Sequence, residues 1–274
     1  MTNDNSVLCG DAGRLLLSLL AGHAHLTVTS PPYDALRSYH GYRFDVEAIV
    51  RGLWHVTAPG GVVVWVVGDQ TVDGGETGTS FRQALAFQEA GFLLFDTMIY
   101  EKTGTSYPAK GRYDQVFEFM FVLSKGRPRV FHPLRDVPKL WAGSWGRTTQ
   151  RKADGSLRKS THESCGKGRS GRATDGRYGY KQRGNIWRYV NGKKFAHTDE
   201  LAYEHPATFP EKLAEDHILT WTDPGDLVLD PMCGSGTTLK MACKHGRRWL
   251  GIDVSKGYCD LARRRVALAR KEVP

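Results

Sequence analysis

Two short stretches hold the residue types that chemistry needs. The first runs Asp230-Pro231-Met232-Cys233-Gly234-Ser235-Gly236-Thr237-Thr238. It follows the apolar run LVLD and opens a helical pattern, so it reads as a turn from a strand into a helix. Glycine in such a turn lets a ligand approach the backbone closely. The helix start leaves N–H groups without intrahelical partners. Asp230, at the strand end, can hold a cationic or amino-bearing ligand. A second strand-end acid, Asp253 in WLGID, follows at the spacing of an acid that binds ribose hydroxyls in dinucleotide folds. NAD is one candidate, but the fingerprint GxGxxG is absent, because Leu239 stands three residues after Gly236.

The second stretch is Thr29-Ser30-Pro31-Pro32-Tyr33, at the end of the run LTVTS. Open α/β sheets bind ligands at the carboxyl ends of their strands. Two prolines fix φ and remove two N–H groups. Carbonyl acceptors, a hydroxyl and an aromatic ring remain in a stiff turn. Such a turn suits an amino group and a planar ring. Taken alone, Ser-Pro-Pro-Tyr is also consistent with a simple tight turn.

The surrounding pattern supplies the elements that would position both stretches. LTVTS (26–30) and VVVWVV (62–67) are β-branched runs of the kind buried in parallel sheets. A helical stretch near Asp45–Thr57 lies between them and ends at Pro59-Gly60-Gly61. Thr79 to Ala90 reads as a helix, and 92–100 and 116–124 read as two further strands. After residue 201 the pattern returns. A helix is expected over Pro210–Thr220, strands over 227–230 and 249–253, and a basic amphipathic helix over Tyr258–Lys271. Alternation of this kind predicts an α/β fold built from βαβ units.

Between these halves the pattern breaks. Residues 139–194 contain 15 basic and 3 acidic residues, ten glycines, and only Leu140, Leu157, Ile186 and Val190 among the larger aliphatics and phenylalanine. Such a stretch builds no large core of its own. The chain as a whole is +9, so the excess positive charge belongs to this segment. Trp141, Trp145, Tyr178, Tyr180, Trp187 and Tyr189 interleave with the basic residues, a composition suited to nucleic acid. The expected organisation is therefore residues 1–126, a basic insertion over 127–195, and residues 196–274. Five scattered cysteines form no CxxC and argue against a disulfide framework or a structural zinc. The polar N-terminus shows no leader, and no apolar run reaches the length of a membrane helix, so a cytoplasmic, nucleoid-associated protein of prokaryotic or phage type is expected.

Together the two motifs carry a resemblance. The chain resembles the β group of DNA amino-methyltransferases, which make N6-methyladenine or N4-methylcytosine. Ser30-Pro31-Pro32-Tyr33 is similar to their (D/N/S)PPY signature, and Asp230 to Thr238 to their DPxxGSGTT turn. His205-Pro206-Ala207-Thr208-Phe209-Pro210 resembles the element that closes over S-adenosyl-L-methionine (AdoMet) in that family. The catalytic motif precedes the cofactor motif, as in the β group. The resemblance implies a Rossmann-like AdoMet-dependent methyltransferase fold: a seven-stranded, mostly parallel sheet, circularly permuted in sequence, with an inserted target-recognition region. It implies Ser30, Pro31, Pro32 and Tyr33 as catalytic residues. It implies a cofactor pocket of Asp11, His205, Pro206, Ala207, Phe209, Asp230, Pro231, Cys233, Gly234, Ser235, Gly236, Thr237 and Asp253. Cys233 is read as packing and not as a nucleophile. Arg147, Arg151, Lys152, Arg169, Arg172, Arg177, Lys181 and Arg183 are the expected contacts to double-stranded DNA.

The expected reaction is direct methyl transfer to a flipped base, needing no metal. The first tetrad residue, Ser30, is more often associated with cytosine-N4 enzymes. The runs GTSFRQA (78–84) and FPEKLAEDHI (209–218) look more like adenine-N6 enzymes, and the reading leans to adenine. RNA and protein methyltransferases with a related NPPY place the cofactor motif first, opposite to the order here. A DNA-binding module without activity is the non-enzyme alternative, opposed by the intact motifs. A homodimer and a restriction partner are possible partners that this chain does not specify.

Overall fold

β-Branched and aromatic runs form one large sheet. The structure is a computed structural model describing residues 4–32, 44–104, 111–139, 149–151, 154–159, 179–192 and 195–272. It divides into two units: residues 1–132 with 185–274, and residues 133–184. In the large unit the strands are β1 (Ser6–Cys9), β2 (Ala24–Thr29), β3 (Thr57–Val67), β4 (Leu93–Lys102), β5 (Phe117–Ser124), β6 (Ile186–Tyr189), β7 (Leu227–Asp230) and β8 (Arg248–Asp253). They lie in the order β1-β8-β7-β2-β3-β5-β4-β6. The first five strands in that order are parallel; β5 runs antiparallel to both its neighbours, and β6 is parallel to β4.

The helices are α1 (Ala12–Ser18), α2 (Val46–Val56), α3 (Thr79–Glu89), α4 (Glu211–Trp221), α5 (Thr237–Lys244) and α6 (Lys256–Glu272). Val62 to Val67 of β3 are buried without alternation, as expected for a strand covered on both faces. Val63, Trp65 and Val67 join Leu16 of α1, Leu53 of α2 and Phe87 of α3 in one core cluster. The buried Trp65 indole N–H is satisfied by Gln83 Oε1 at 2.8 Å. No helix among the described residues is long and apolar enough to cross a membrane.

Two expectations change. The sheet has eight strands, not seven. The eighth is β6, IWRY, hidden in the basic segment because four residues give too short an alternation to stand out. Its Trp187 and Tyr189 are 6% and 5% exposed, while Ile186 and Arg188 face outward. Trp187 stacks on His217 at 4.7 Å, and the Tyr189 hydroxyl donates to Asp216 at 2.9 Å. These two aromatics are core residues, not the nucleic-acid contacts that their neighbours suggested. The boundaries of the insertion move accordingly. Residues 127–132 and 185–195 belong to the large unit, leaving 133–184 as the separate one. Within 133–184, residues 137–138 pair with 180–181 and residues 149–151 with 157–159, both antiparallel.

Candidate active site

Counted from β7, the chain winds outward through β8 and β1 on one side and continues through β2 and β3 on the other. The strand order therefore reverses between β7 and β2, which is where an open α/β sheet leaves a crevice at its carboxyl ends. A cavity of about 2500 Å³ lies there, walled in part by Asp11, Ser30, Asp69, Asp230 and Asp253.

The two motifs found in the sequence meet in this cavity. Thr29 Oγ1, at the end of β2, donates to Asp230 Oδ1, at the end of β7, at 2.7 Å. Thr238 Oγ1 donates to the Val28 carbonyl at 3.0 Å, tying the start of α5 to the same strand. Asp230 is 2% exposed. Burial pushes its carboxyl up to about 7, against the hydrogen bonds from Thr29, the Met232 N–H and Thr238. Ser30, Pro31 and Pro32 line the cavity beside it. Tyr33 lies outside the described residues.

The glycine turn is shaped by its neighbours. Gly234 has φ +47°, and its N–H donates to Asp253 Oδ2 at 2.9 Å. Ser255 N–H donates to the other oxygen at 2.8 Å. Burial pushes the Asp253 carboxyl up against these two backbone bonds. A Cβ at Gly234 would stand 2.8 Å from His205 Nε2, so the absent side chain makes room for the imidazole over the turn. The His205 ring meets Tyr258 edge-on at 4.2 Å. Cys233 is buried, its thiol pushed well up by burial and by the nearby carboxylates of Asp230 and Asp253, which suits packing and opposes nucleophilic chemistry.

Other expected residues fall as follows. Pro206, Ala207, Phe209, Pro231, Ser235 and Thr237 line the cavity. Asp11 also lines it and caps α1, accepting from Arg14 N–H at 2.8 Å. Gly236 is a correction: it does not line the cavity. Its φ is +78°, and a Cβ there would lie 2.8 Å from Ala262 Cβ, so this glycine serves the turn and the approach of α6. Of the expected DNA contacts, Lys181 is exposed. Arg183 departs from the expectation of a bare cation, since its Nε donates to both Asp136 oxygens at 2.9 and 2.8 Å. Only the backbone of Arg151 is described; Arg147, Lys152, Arg169, Arg172 and Arg177 lie outside the described residues.

Sequence reasoning missed a buried ionic cluster behind the turn. Arg265, Lys240, Asp199 and Glu211 pair with one another, with Arg265 and Lys240 almost wholly buried. The signal was present in α6, where Leu261, Ala262, Arg265, Val266 and Ala269 form its buried stripe. An arginine on an apolar stripe announces a buried partner. Asp69 was missed too; beyond the end of β3, it accepts from the Ser80 N–H at 2.9 Å and supplies the cap that Gly78 cannot.

Comparison with known proteins agrees with this geometry. A family model described as DNA methylase matches residues 24–264. The orphan methyltransferase M.BamHII of Bacillus amyloliquefaciens is 49% identical over 241 residues, 88% of each chain. The solved PvuII DNA methyltransferase (cytosine-N4-specific) is similar in fold, with TM-score 0.65 at 19% identity, covering 100% of this chain and 93% of that one. A DNA modification methylase of Thermus thermophilus, TTHA0409, solved with S-adenosyl-L-methionine, gives TM-score 0.61 at 24% identity over 97% and 95% of the two chains.

Proposed function

The chain belongs to the DNA methylase family of AdoMet-dependent amino-methyltransferases, and from that premise we propose that it methylates the exocyclic amino nitrogen of a base flipped out of double-stranded DNA. The observation that carries this reading is the 2.7 Å hydrogen bond between Thr29 and Asp230. It holds the first residue of the Thr-Ser-Pro-Pro turn against the acid of the glycine turn, although they are 201 residues apart in sequence.

The cavity residues fit the cofactor. Asp230 and Asp253 are buried strand-end carboxylates that accept only from neutral donors among the described residues. A cationic, amino- and hydroxyl-bearing ligand supplies what they lack. When bound, AdoMet provides an electrophilic methyl group on a sulfonium. Asp253 would take the ribose hydroxyls, and the turn at Gly234–Thr237 the methionine end. An exocyclic amino nitrogen is a poor nucleophile because its lone pair is delocalised into the ring. Ser30 Oγ and the Pro31 carbonyl would accept its hydrogens, localise that lone pair and aim it, a contribution of orientation and electrostatics. The base is unreachable inside a duplex, so it must be extruded, with Tyr33 stacking on it. We assign target reading to the basic unit 133–184, through phosphate and base contacts.

The choice of base turns on which residues face the pocket. The adenine lean rests on 78–84 and 209–218. In the structure these serve the scaffold: Ser80 is bonded to Asp69, Gln83 to Trp65, and Glu211 and Asp216 to buried partners. Ser30 is the part of the comparison that lines the cavity, and serine there resembles the cytosine-N4 enzymes. Cytosine N4 is therefore the reading we favour, with adenine N6 as the second. The test is to incubate the protein with AdoMet and unmethylated DNA, digest to nucleosides, and identify the product by mass spectrometry. N4-Methylcytosine supports the first reading and N6-methyladenine the second. No methylated nucleoside, despite AdoMet binding, rejects both. Ser30→Ala should lower kcat by about 10²-fold, by analogy with loss of one preorganised hydrogen-bonding group, with AdoMet affinity retained.

A further inference from the structure

We propose that Arg265 is a positioning residue of the cofactor pocket, one side chain that holds two walls of the pocket in register. The inference rests on assigning the Asp230–Thr238 turn to AdoMet and deepens that assignment.

Arg265 is fully buried, yet all of its donors have partners. Nη1 donates to the Ser235 carbonyl at 2.9 Å, to Ser235 Oγ at 3.0 Å and to Thr237 Oγ1 at 3.0 Å. These are atoms of the glycine turn. Nε donates to Asp199 at 3.0 and 3.1 Å, and Nη2 to Asp199 and Glu211 at 3.0 Å each. Asp199 and Glu211 bracket the segment 205–209 that forms the opposite wall. Asp199 caps the short helix before that wall, accepting from Ala202 N–H at 3.1 Å, and Glu211 opens α4 after it. Thr208, inside the wall, is reached through His197 at 2.8 Å. Lys240 balances the charge, donating to Asp199 at 2.6 Å and to Glu211 at 2.7 Å. Burial pushes the Glu211 carboxyl up, but His197 and Lys240 outweigh it and hold the group far below the usual range.

Geometry explains the choice of arginine. A planar fork with five N–H donors can face the turn with one edge and the carboxylates with the other. A lysine keeps the charge but reaches with one point, so it cannot bond both walls. Buried pairs of this kind are weak evidence for net stability, because desolvation offsets attraction. Their better-attested value is to select one arrangement. Here the arrangement selected is the separation between Ser235–Thr237 and 205–209, the walls that AdoMet must fit between.

The test is isothermal titration of AdoMet into wild type, Arg265→Lys and Arg129→Gln, each with its melting curve. Arg129→Gln removes a half-exposed ion pair away from the pocket and controls for a plain stability loss. We expect Arg265→Lys to melt cooperatively and to raise the AdoMet Kd by about tenfold or more, while kcat at saturating AdoMet stays within about threefold and the KM for DNA is unchanged. A folded Arg265→Lys that binds AdoMet within twofold of wild type overturns the proposal. If that variant does not fold, Asp199→Asn keeps the shape and weakens the same fork, and unchanged AdoMet affinity in it overturns the proposal equally. Absence of AdoMet binding by wild type would reject the assignment of the turn itself, and this inference with it.

Discussion

The two ends of the same strands treat charge in opposite ways. At the amino ends of β1, β2, β7 and β8, acids and bases are matched. Asp4 accepts from His23 at 2.8 Å and pairs with Arg248, Asp226 pairs with Arg129, and His25 Nδ1 accepts from the Leu227 N–H at 3.1 Å. Burial pushes the Asp4 carboxyl up, but His23 and Arg248 outweigh it and hold it below the usual range. At the carboxyl ends, Asp230 and Asp253 are more deeply buried, have no ion-pair partner among the described residues, and are pushed up. A carboxylate already paired gains little from a further cation. One held without a counter-charge in a dry crevice gains much. One end of the sheet is electrostatically complete; the other is completed by a ligand.

The strongest way to break this contrast is Asp253→Ala. It removes the acceptor that fixes the Gly234 and Ser255 N–H groups and the proposed ribose contact. Hydrogen bonds to charged groups are worth roughly 1.5–3 kcal/mol, so AdoMet affinity should fall by about 10- to 150-fold in calorimetry. An unchanged affinity would remove Asp253 from the pocket's chemistry.

Proton linkage sharpens the contrast. The folded-state pKa of Asp230 is raised to about 7, so the native protein retains a proton that the unfolded chain has released. This group's contribution to stability is therefore fully present below the usual carboxylate range and is lost as pH rises toward 7. AdoMet binding should show the reverse trend, because a cation favours the ionised carboxylate. Affinity should rise by up to about tenfold between pH 6 and pH 8, and Asp230→Asn should flatten that rise. A wild-type affinity independent of pH would count against the coupling.

The smallest effect is expected at the completed end. Arg248→Gln breaks a partly exposed pair and should cost less than about 1 kcal/mol in urea denaturation, with AdoMet affinity unchanged. A large loss of cofactor binding there would mean that the two ends are not independent.

Much of the fold and the core of the site were legible in the chain. β-Branched runs end in acids or prolines, and a glycine turn opens a helix, so Asp230, Asp253 and Ser30 could be placed at strand ends by local pattern. β6 was not legible, because IWRY sits among glycines and bases and becomes a strand by pairing with β4. Trp187 and Tyr189 looked like surface aromatics for the same reason. Gly236 was taken for a ligand contact, although its missing side chain makes room for Ala262, a neighbour that no local pattern identifies. Arg265 lay in plain view on a buried stripe, but its partners are 28 to 66 residues away.

The sequence by itself determined the chemistry on offer: an acceptor-rich Thr-Ser-Pro-Pro turn, a glycine turn, two acids at strand ends, and a basic segment. Residue type and backbone period are local properties, and a chain displays them without folding. Only the tertiary structure decided that the two turns face one crevice, because adjacency of β2 and β7 is set by strand order. It also decided which charges are paired and which await a ligand. That depends on burial and on partners brought together from distant parts of the chain, and both arise when the sheet assembles.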